Sequence, residues 1–221
     1  MNSVSLKPKK VRKSGNYRSA RRRNHNGELV VNDEDYRRFY RLESYLFDEV
    51  ARRFSEMGTL TAFDFFCIII WKANRAKSKV ARKLLEKGYD NLEPAVVALT
   101  RAIAVAENPK AKLKVLIDGW KIQLPMASAI LTVLYPNDFS VYDVRVCDQL
   151  GSSHNTQNRT NFDVQWDEYQ RYVSEVRKMT PQEYELRDKD RWLWGRSFFT
   201  QLTDDIHDNF RRARDEEDSG T

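Results

Sequence analysis

Apolar side chains recur every three or four residues along most of the chain, and no stretch sustains the alternation of a half-buried strand. The pattern predicts helix after helix from Asn32 to Arg214. Asn32 or Asp33 is placed to cap a first helix whose apolar positions Tyr36, Phe39, Tyr40, Leu46, Phe47, Val50 and Phe54 share one side, with Gly58 as its stop. Thr59 or Thr61 starts a second. There Phe63, Phe65, Phe66, Cys67, Ile69 and Ile70 make the helix apolar nearly all round, which predicts a central buried position. Pro94 fits the first turn of a third helix, Ala95 to Ala106, and Pro109 opens a shorter one towards Gly119.

Leu124 to Leu134 reads as a helix whose small residues Ala127, Ser128 and Ala129 permit close approach of neighbours, ending at Tyr135-Pro136-Asn137-Asp138. Phe139 to Asp143 then leads into a helix from Val144 to about Leu150, stopped by Gly151. Residues 152 to 162 are polar and loop-like. Trp166, Tyr169, Tyr172, Val173 and Val176 mark another helix. A last amphipathic one runs from Trp192 to about Arg212 with Phe199, Leu202, Ile206 and Phe210 on its apolar side. The fold class expected is therefore all-α.

Composition narrows this picture. A length of 221 residues, 41% of them hydrophobic, suits one globular domain with tails. The net charge of +6 is unevenly spread: residues 1–26 hold nine Lys and Arg and no acid, leaving 29 basic against 32 acidic residues beyond them. Such an arm is too polar to offset its ordering entropy, and it is expected to be disordered until it meets a polyanion; a merely solubilising terminus is the alternative. The domain expected is 27–214, followed by an acidic tail, 215–221, containing Asp215-Glu216-Glu217-Asp218. No apolar run is long enough for a membrane span or a secretory leader, so a cytoplasmic, nucleoid-associated protein with no membrane partner is expected. Cys67 and Cys147 sit in apolar surroundings and read as buried structural thiols, too few for a disulfide scaffold or a four-cysteine cluster.

Two stretches carry candidate chemistry. From Lys72 to Lys87 there are seven basic residues and one acid, Glu86, a charge run suited to phosphates. Asp143 stands at a helix start among apolar and aromatic neighbours. A carboxylate there can cap the helix by accepting backbone N–H groups. Equally, it can face an apolar cleft, where it would stabilise developing positive charge or activate water. The residues alone leave both roles open.

Leu124-Pro125-Met126-Ala127-Ser128-Ala129-Ile130-Leu131, followed after 16 residues from Ala127 by the aspartate of Val141-Tyr142-Asp143-Val144-Arg145-Val146, resembles the helix-hairpin-helix DNA glycosylase superfamily. In that family a hairpin of the type L-P-G-V-G-x-x-T-A precedes a V-D-T-H-V turn. The resemblance implies a glycosylase-like bundle of about eight to ten helices, with the hairpin region at about 109–135. It implies a monofunctional DNA glycosylase that flips a damaged or modified base out of duplex DNA and hydrolyses its N-glycosidic bond, with Asp143 as the catalytic carboxylate. Its substrates would be oxidised, alkylated, deaminated or mispaired bases, or modified bases of foreign (phage) DNA.

Lys121-Ile122-Gln123 stands where the family has G-V-G, and Pro125 stands where bifunctional members carry a Schiff-base lysine, hence hydrolysis without lyase chemistry. The implied base pocket draws on Trp71, Trp120, Tyr142 and Trp194, although aromatic rings at helical spacing also serve cores. Implied DNA contacts are Lys72, Asn74, Arg75, Lys77, Lys79, Lys121, Gln123 and Arg145; Lys72, Ala73 or Asn74 stands nearest the place of a gap-filling side chain, with Asn74 the choice among them. Leu186 to Arg196 combines charges with Trp192 and Trp194 and could border the pocket. No metal and no cofactor is implied; the expected partner is double-stranded DNA, bound by a monomer. A non-catalytic DNA- or RNA-binding protein on the same scaffold is the alternative.

Overall fold

Short polar side chains set the helix starts. In the computed structural model, which describes residues 36–152 and 154–209, Thr61 accepts the backbone N–H of Asp64 at 3.1 Å. Asn91 accepts that of Glu93 at 3.1 Å and Asn108 that of Ala111 at 2.9 Å. Asn161 takes the N–H groups of Asp163 and Val164 at 2.9 and 3.2 Å. Each such cap answers donors that have no partner within the helix and contributes about 1 kcal/mol. Gly58 and Gly151 close their helices in the left-handed region, at φ 66° and 62°.

The elements so bounded are α1 (Arg37–Tyr40), α2 (Leu42–Ser44), a π-helical turn Tyr45–Val50 and α3 (Ala51–Met57), then α4 (Ala62–Ala73), a 3₁₀ turn Asn74–Ala76 and α5 (Lys77–Leu85). Next come α6 (Leu92–Val105), α7 (Pro109–Lys114) with a π-helical turn Val115–Gly119, and α8 (Leu124–Leu134). The chain finishes with α9 (Val144–Leu150), a 3₁₀ turn His154–Asn158, α10 (Phe162–Lys178), α11 (Leu186–Asp204) and a π-helical turn Asp205–Asn209. Among the described residues there is no strand, and the fold is all-α. The basic arm, the proposed cap at Asn32 or Asp33, Phe210 and the acidic tail lie outside the described residues.

The central helix is α8. From Met126 to Leu134 every side chain is buried, with Ala127, Ser128 and Ala129 admitting α3, α4 and α7 at close range. The expectation of a fully enclosed second helix is corrected: α4 buries Phe65, Cys67, Ile68 and Ile69 but leaves Phe63 and Ile70 exposed, because only one of its sides meets α8 and α6. The last helix also differs. It starts at Leu186, six residues before Trp192, because its buried stripe is Leu186, Lys189, Asp190, Leu193 and Ser197. Phe199, Leu202 and Ile206 are exposed rather than core, since the helix beyond Ser197 buries no side chain. The polar segment 152–162 contains the 3₁₀ turn, with Thr156 buried beneath α10, where Gln165 donates to its carbonyl at 2.9 Å.

Candidate active site

An extended segment, Phe139 to Asp143, crosses the interior without a strand partner. Buried backbone groups need hydrogen bonds, and side chains from three helices supply them. The amide of Tyr142 donates to Ser128 Oγ of α8 at 2.9 Å. Tyr169 of α10 accepts the Ser140 N–H at 3.2 Å and donates to the Ser140 carbonyl at 2.7 Å, while Tyr172 donates to the Val141 carbonyl at 2.7 Å. The Val141 amide donates to Asp190 Oδ2 of α11 at 3.2 Å. The segment is thus held by five hydrogen bonds at three successive residues, Ser140, Val141 and Tyr142, and delivers Asp143 to the start of α9.

Asp143 caps its helix and also lines a cavity. Its Oδ1 accepts the Arg145 N–H at 3.0 Å, capping α9. Its Oδ2 is ion-paired with the ammonium of Lys72, from the last turn of α4. The two side chains are 21% and 15% exposed, so neither is sealed from a ligand. They line a cavity of about 450 Å³, within the range of small-molecule sites. Trp71, Trp194 and Val141 contribute its apolar lining.

Charged residues of α2 and α11 complete the lining: Glu43, Arg187, Asp190 and Arg191. Arg187 is the hub. Its guanidinium donates to Asp190 Oδ2 at 2.6 Å and to Glu43 Oε1, and its Cζ lies 5.0 and 5.1 Å from the ring centres of Phe47 and Trp71. Arg191 donates to the same Glu43 oxygen at 3.0 Å and to Asp188 at 2.7 Å. Burial pushes the Asp190 carboxyl above the usual carboxylate range, against the pull of Arg187 and the Val141 amide. Burial also pushes Glu43 up, but the two guanidinia more than reverse it and hold its carboxyl below that range. Nε of Arg187 is buried with no partner.

Lys72, Asp143, Trp71 and Trp194 therefore meet in one cavity. Two other residues implied for the pocket do not line it. Trp120 stacks on Tyr89 at 6.0 Å, beyond α5, because the turn after Gly119 directs it to that side. Tyr142 is buried and edge-on to Tyr172 at 5.1 Å, and it borders a separate groove of about 270 Å³ with Thr156, Arg159 and Glu168. Residues alternate sides along an extended segment, so with Asp143 facing the cavity its neighbour faces away.

The implied DNA contacts fall on three segments. Asn74, Arg75, Lys77 and Lys79 are exposed on the 3₁₀ turn and α5, with Lys77 donating to Asn74 Oδ1 at 3.1 Å. Arg145 lies over the Trp194 ring at 5.7 Å and donates to Gln201 at 2.6 Å. Lys121 and Gln123 are exposed at the turn between α7 and α8. Lys121 has φ 55°, a left-handed conformation that favours glycine, and its carbonyl accepts the ammonium of Lys83. Among the described residues no cluster of His, Cys, Asp and Glu could hold a metal ion, and no helix is long and apolar enough to cross a membrane.

Sequence reasoning did not find Glu43, Ser128 as a holder of the segment, or the separate roles of Arg187, Asp190 and Arg191 within the charged stretch it singled out. The mixed charges between Arg187 and Arg191 were the available signal; Glu43 had none, being 144 residues from Arg187. Set beside protein families, curated proteins and solved structures, the chain matches none.

Proposed function

We propose that the protein is a monofunctional DNA glycosylase acting on a damaged or modified base in double-stranded DNA, foreign DNA included. The observation that carries this reading is Asp143, a helix-capping and ion-paired carboxylate on a hydrogen-bonded segment, lining a cavity together with Trp71 and Trp194. A base inside a duplex must be extruded, at a cost of a few kcal/mol that is least for a damaged or mispaired one. Stacking on Trp71 or Trp194 would return about 1–3 kcal/mol. As the N-glycosidic bond breaks, the sugar gains oxocarbenium character, and the Asp143 carboxylate would stabilise that charge or orient the water that attacks C1′. Exposed Arg75, Lys77, Lys79 and Lys121, with the basic arm, would neutralise phosphates without reading sequence.

Lys72 brings to the cavity an amine that the motif comparison, with Pro125 at the lysine position, did not provide. In the structure Lys72 is engaged in an ion pair with Asp143. Hydrolysis to an intact abasic strand is the reaction proposed, with borohydride trapping as the check on attack by this amine.

The test is release of bases from duplexes carrying a panel of lesions and modifications, read as alkali-labile sites. Asp143→Asn, with an unchanged circular dichroism spectrum, is expected to lower single-turnover release by about 10²–10³-fold. No adduct should be trapped by borohydride. Equal release by the variant removes Asp143 from the chemistry. Salt-sensitive DNA binding with no abasic site from any duplex would instead establish a non-catalytic nucleic-acid-binding protein.

A further inference from the structure

Two of the carboxylates that line the cavity are bonded in different ways. Asp143 receives a donor on each oxygen, the Arg145 N–H on Oδ1 and the Lys72 ammonium on Oδ2. Asp190 receives both of its donors on one oxygen: the Val141 N–H at 3.2 Å and the Arg187 guanidinium at 2.6 Å fall on Oδ2. No described residue donates to its Oδ1. That atom is not sealed, because the enclosed side-chain atoms without a partner among the described residues are Ser140 Oγ, Gln165 Oε1 and Arg187 Nε. Oδ1 therefore opens on the cavity that Asp190 lines.

A buried anion needs donors on both oxygens, whereas a neutral carboxyl needs them only on its carbonyl oxygen and offers its O–H to an acceptor. Glu43 also keeps one oxygen open, but its side chain is 41% exposed and two guanidinia bond it, so water serves that oxygen. The Asp190 side chain is 4% exposed. We propose that Asp190 is the acid that protonates the leaving base, through Oδ1–H, an inference that rests on the glycosylase reading.

Its surroundings favour a retained proton. Burial raises the affinity of Asp190 for one, and Arg187, the cation bonded to it, is shared with Glu43. Lys72 acts on it from α4 but is itself paired with Asp143, and Arg191 on its own helix is taken by Glu43 and Asp188. Tyr169 and Tyr172, which bear on it from α10, hold their own protons because burial raises both. From α9, the buried Cys147 thiol is raised in the same way, and Arg145 meets α11 further along, at Trp194 and Gln201.

The proton has a use. When the N-glycosidic bond breaks, its electron pair leaves with the base, and transfer from Oδ1 lets a neutral base depart instead of an anion. Water adds to C1′ and yields a proton towards Asp143 and on to solvent. Asp190 then recovers a proton from solvent, so one water is consumed and no proton is gained or lost.

The proton is sought first without a reaction. For the full-length protein at neutral pH, the infrared spectrum of the parent minus that of Asp190→Asn should contain the carbonyl stretch of a protonated carboxyl group. Asparagine can keep an oxygen on the Val141 N–H and Arg187, so the support of the segment is preserved. On a duplex from which a base is released, single-turnover release by the parent should fall as alkali removes the proton. Asp190→Asn should be slower by about 10²–10⁴-fold, with that fall abolished. Asp143→Asn should be slower yet keep the alkaline fall, which separates the acid from the carboxylate at C1′. Absence of the protonated band, or an Asp190→Asn rate that follows the parent's pH profile, overturns the assignment and leaves a glycosylase. A parent rate flat into alkaline pH does the same even if the variant misfolds. Release from no duplex removes the proton donor together with the glycosylase.

Discussion

Tyr142 illustrates how one residue's surroundings set both its role and its response to pH. It follows Val141 into the interior, faces Tyr172, and leaves the cavity to Asp143. Burial pushes its phenol up from 10.0 to about 12. In the unfolded chain the phenol ionises near the lower value, so between the two the unfolded chain has released a proton that the folded chain retains. Stability is then present in full below about pH 10 and is lost as pH rises towards about 12. Urea midpoints measured across that interval should fall, and Tyr142→Phe should fall less. A variant as pH-sensitive as the parent assigns the alkaline loss to other groups, such as Tyr169, whose phenol burial also raises.

Among the elements, the turn between α7 and α8 is the one whose backbone and sequence disagree. Lys121 holds φ 55°, a region that costs an L-residue about 1–2 kcal/mol. The turn persists because the Ile122 amide donates to the Leu116 carbonyl at 2.9 Å and Ile122 is buried. Lys121→Gly removes the clash and spends part of the gain on unfolded-chain entropy, so a net stabilisation of about 0.5–1 kcal/mol is expected from urea denaturation. A lower midpoint would show that the lysine side chain contributes something its exposure does not indicate.

At the scale of the whole molecule, what was legible in the sequence is what is local. Thr61, Asn91, Asn108 and Asn161 cap helices within three residues of themselves, and Gly58 and Gly151 stop them, so α4 and α6 to α10 fall close to where periodicity puts them, whereas the single first helix expected up to Gly58 is interrupted at Arg41 and leaves Tyr36 and Tyr40 exposed. The start of α11 was misplaced because its buried stripe includes Lys189 and Asp190, which periodicity counts as polar. The cavity was half legible. Trp71, Lys72, Asp143 and Trp194 stood in segments already marked by charge or motif, whereas Glu43 reaches Arg187 only through the tertiary fold. Charge distribution supports a separate expectation: removing residues 1–26 takes away nine positive charges and no negative one. Affinity for duplex DNA should fall and its dependence on salt should flatten, while single-turnover release at saturating protein stays within a few-fold. A collapse of that saturated rate would place the arm in the active site.

The segment that presents Asp143 also has a kinetic meaning. Its hydrogen bonds reach partners 14, 29, 31 and 49 residues away along the chain, and Lys72 is 71 residues from Asp143. Helices can form early from neighbouring residues, but contacts of such separation wait for the chain to close its long loops. The geometry of the carboxylate therefore depends on closing those long loops and cannot be set by any one helix and its neighbours alone.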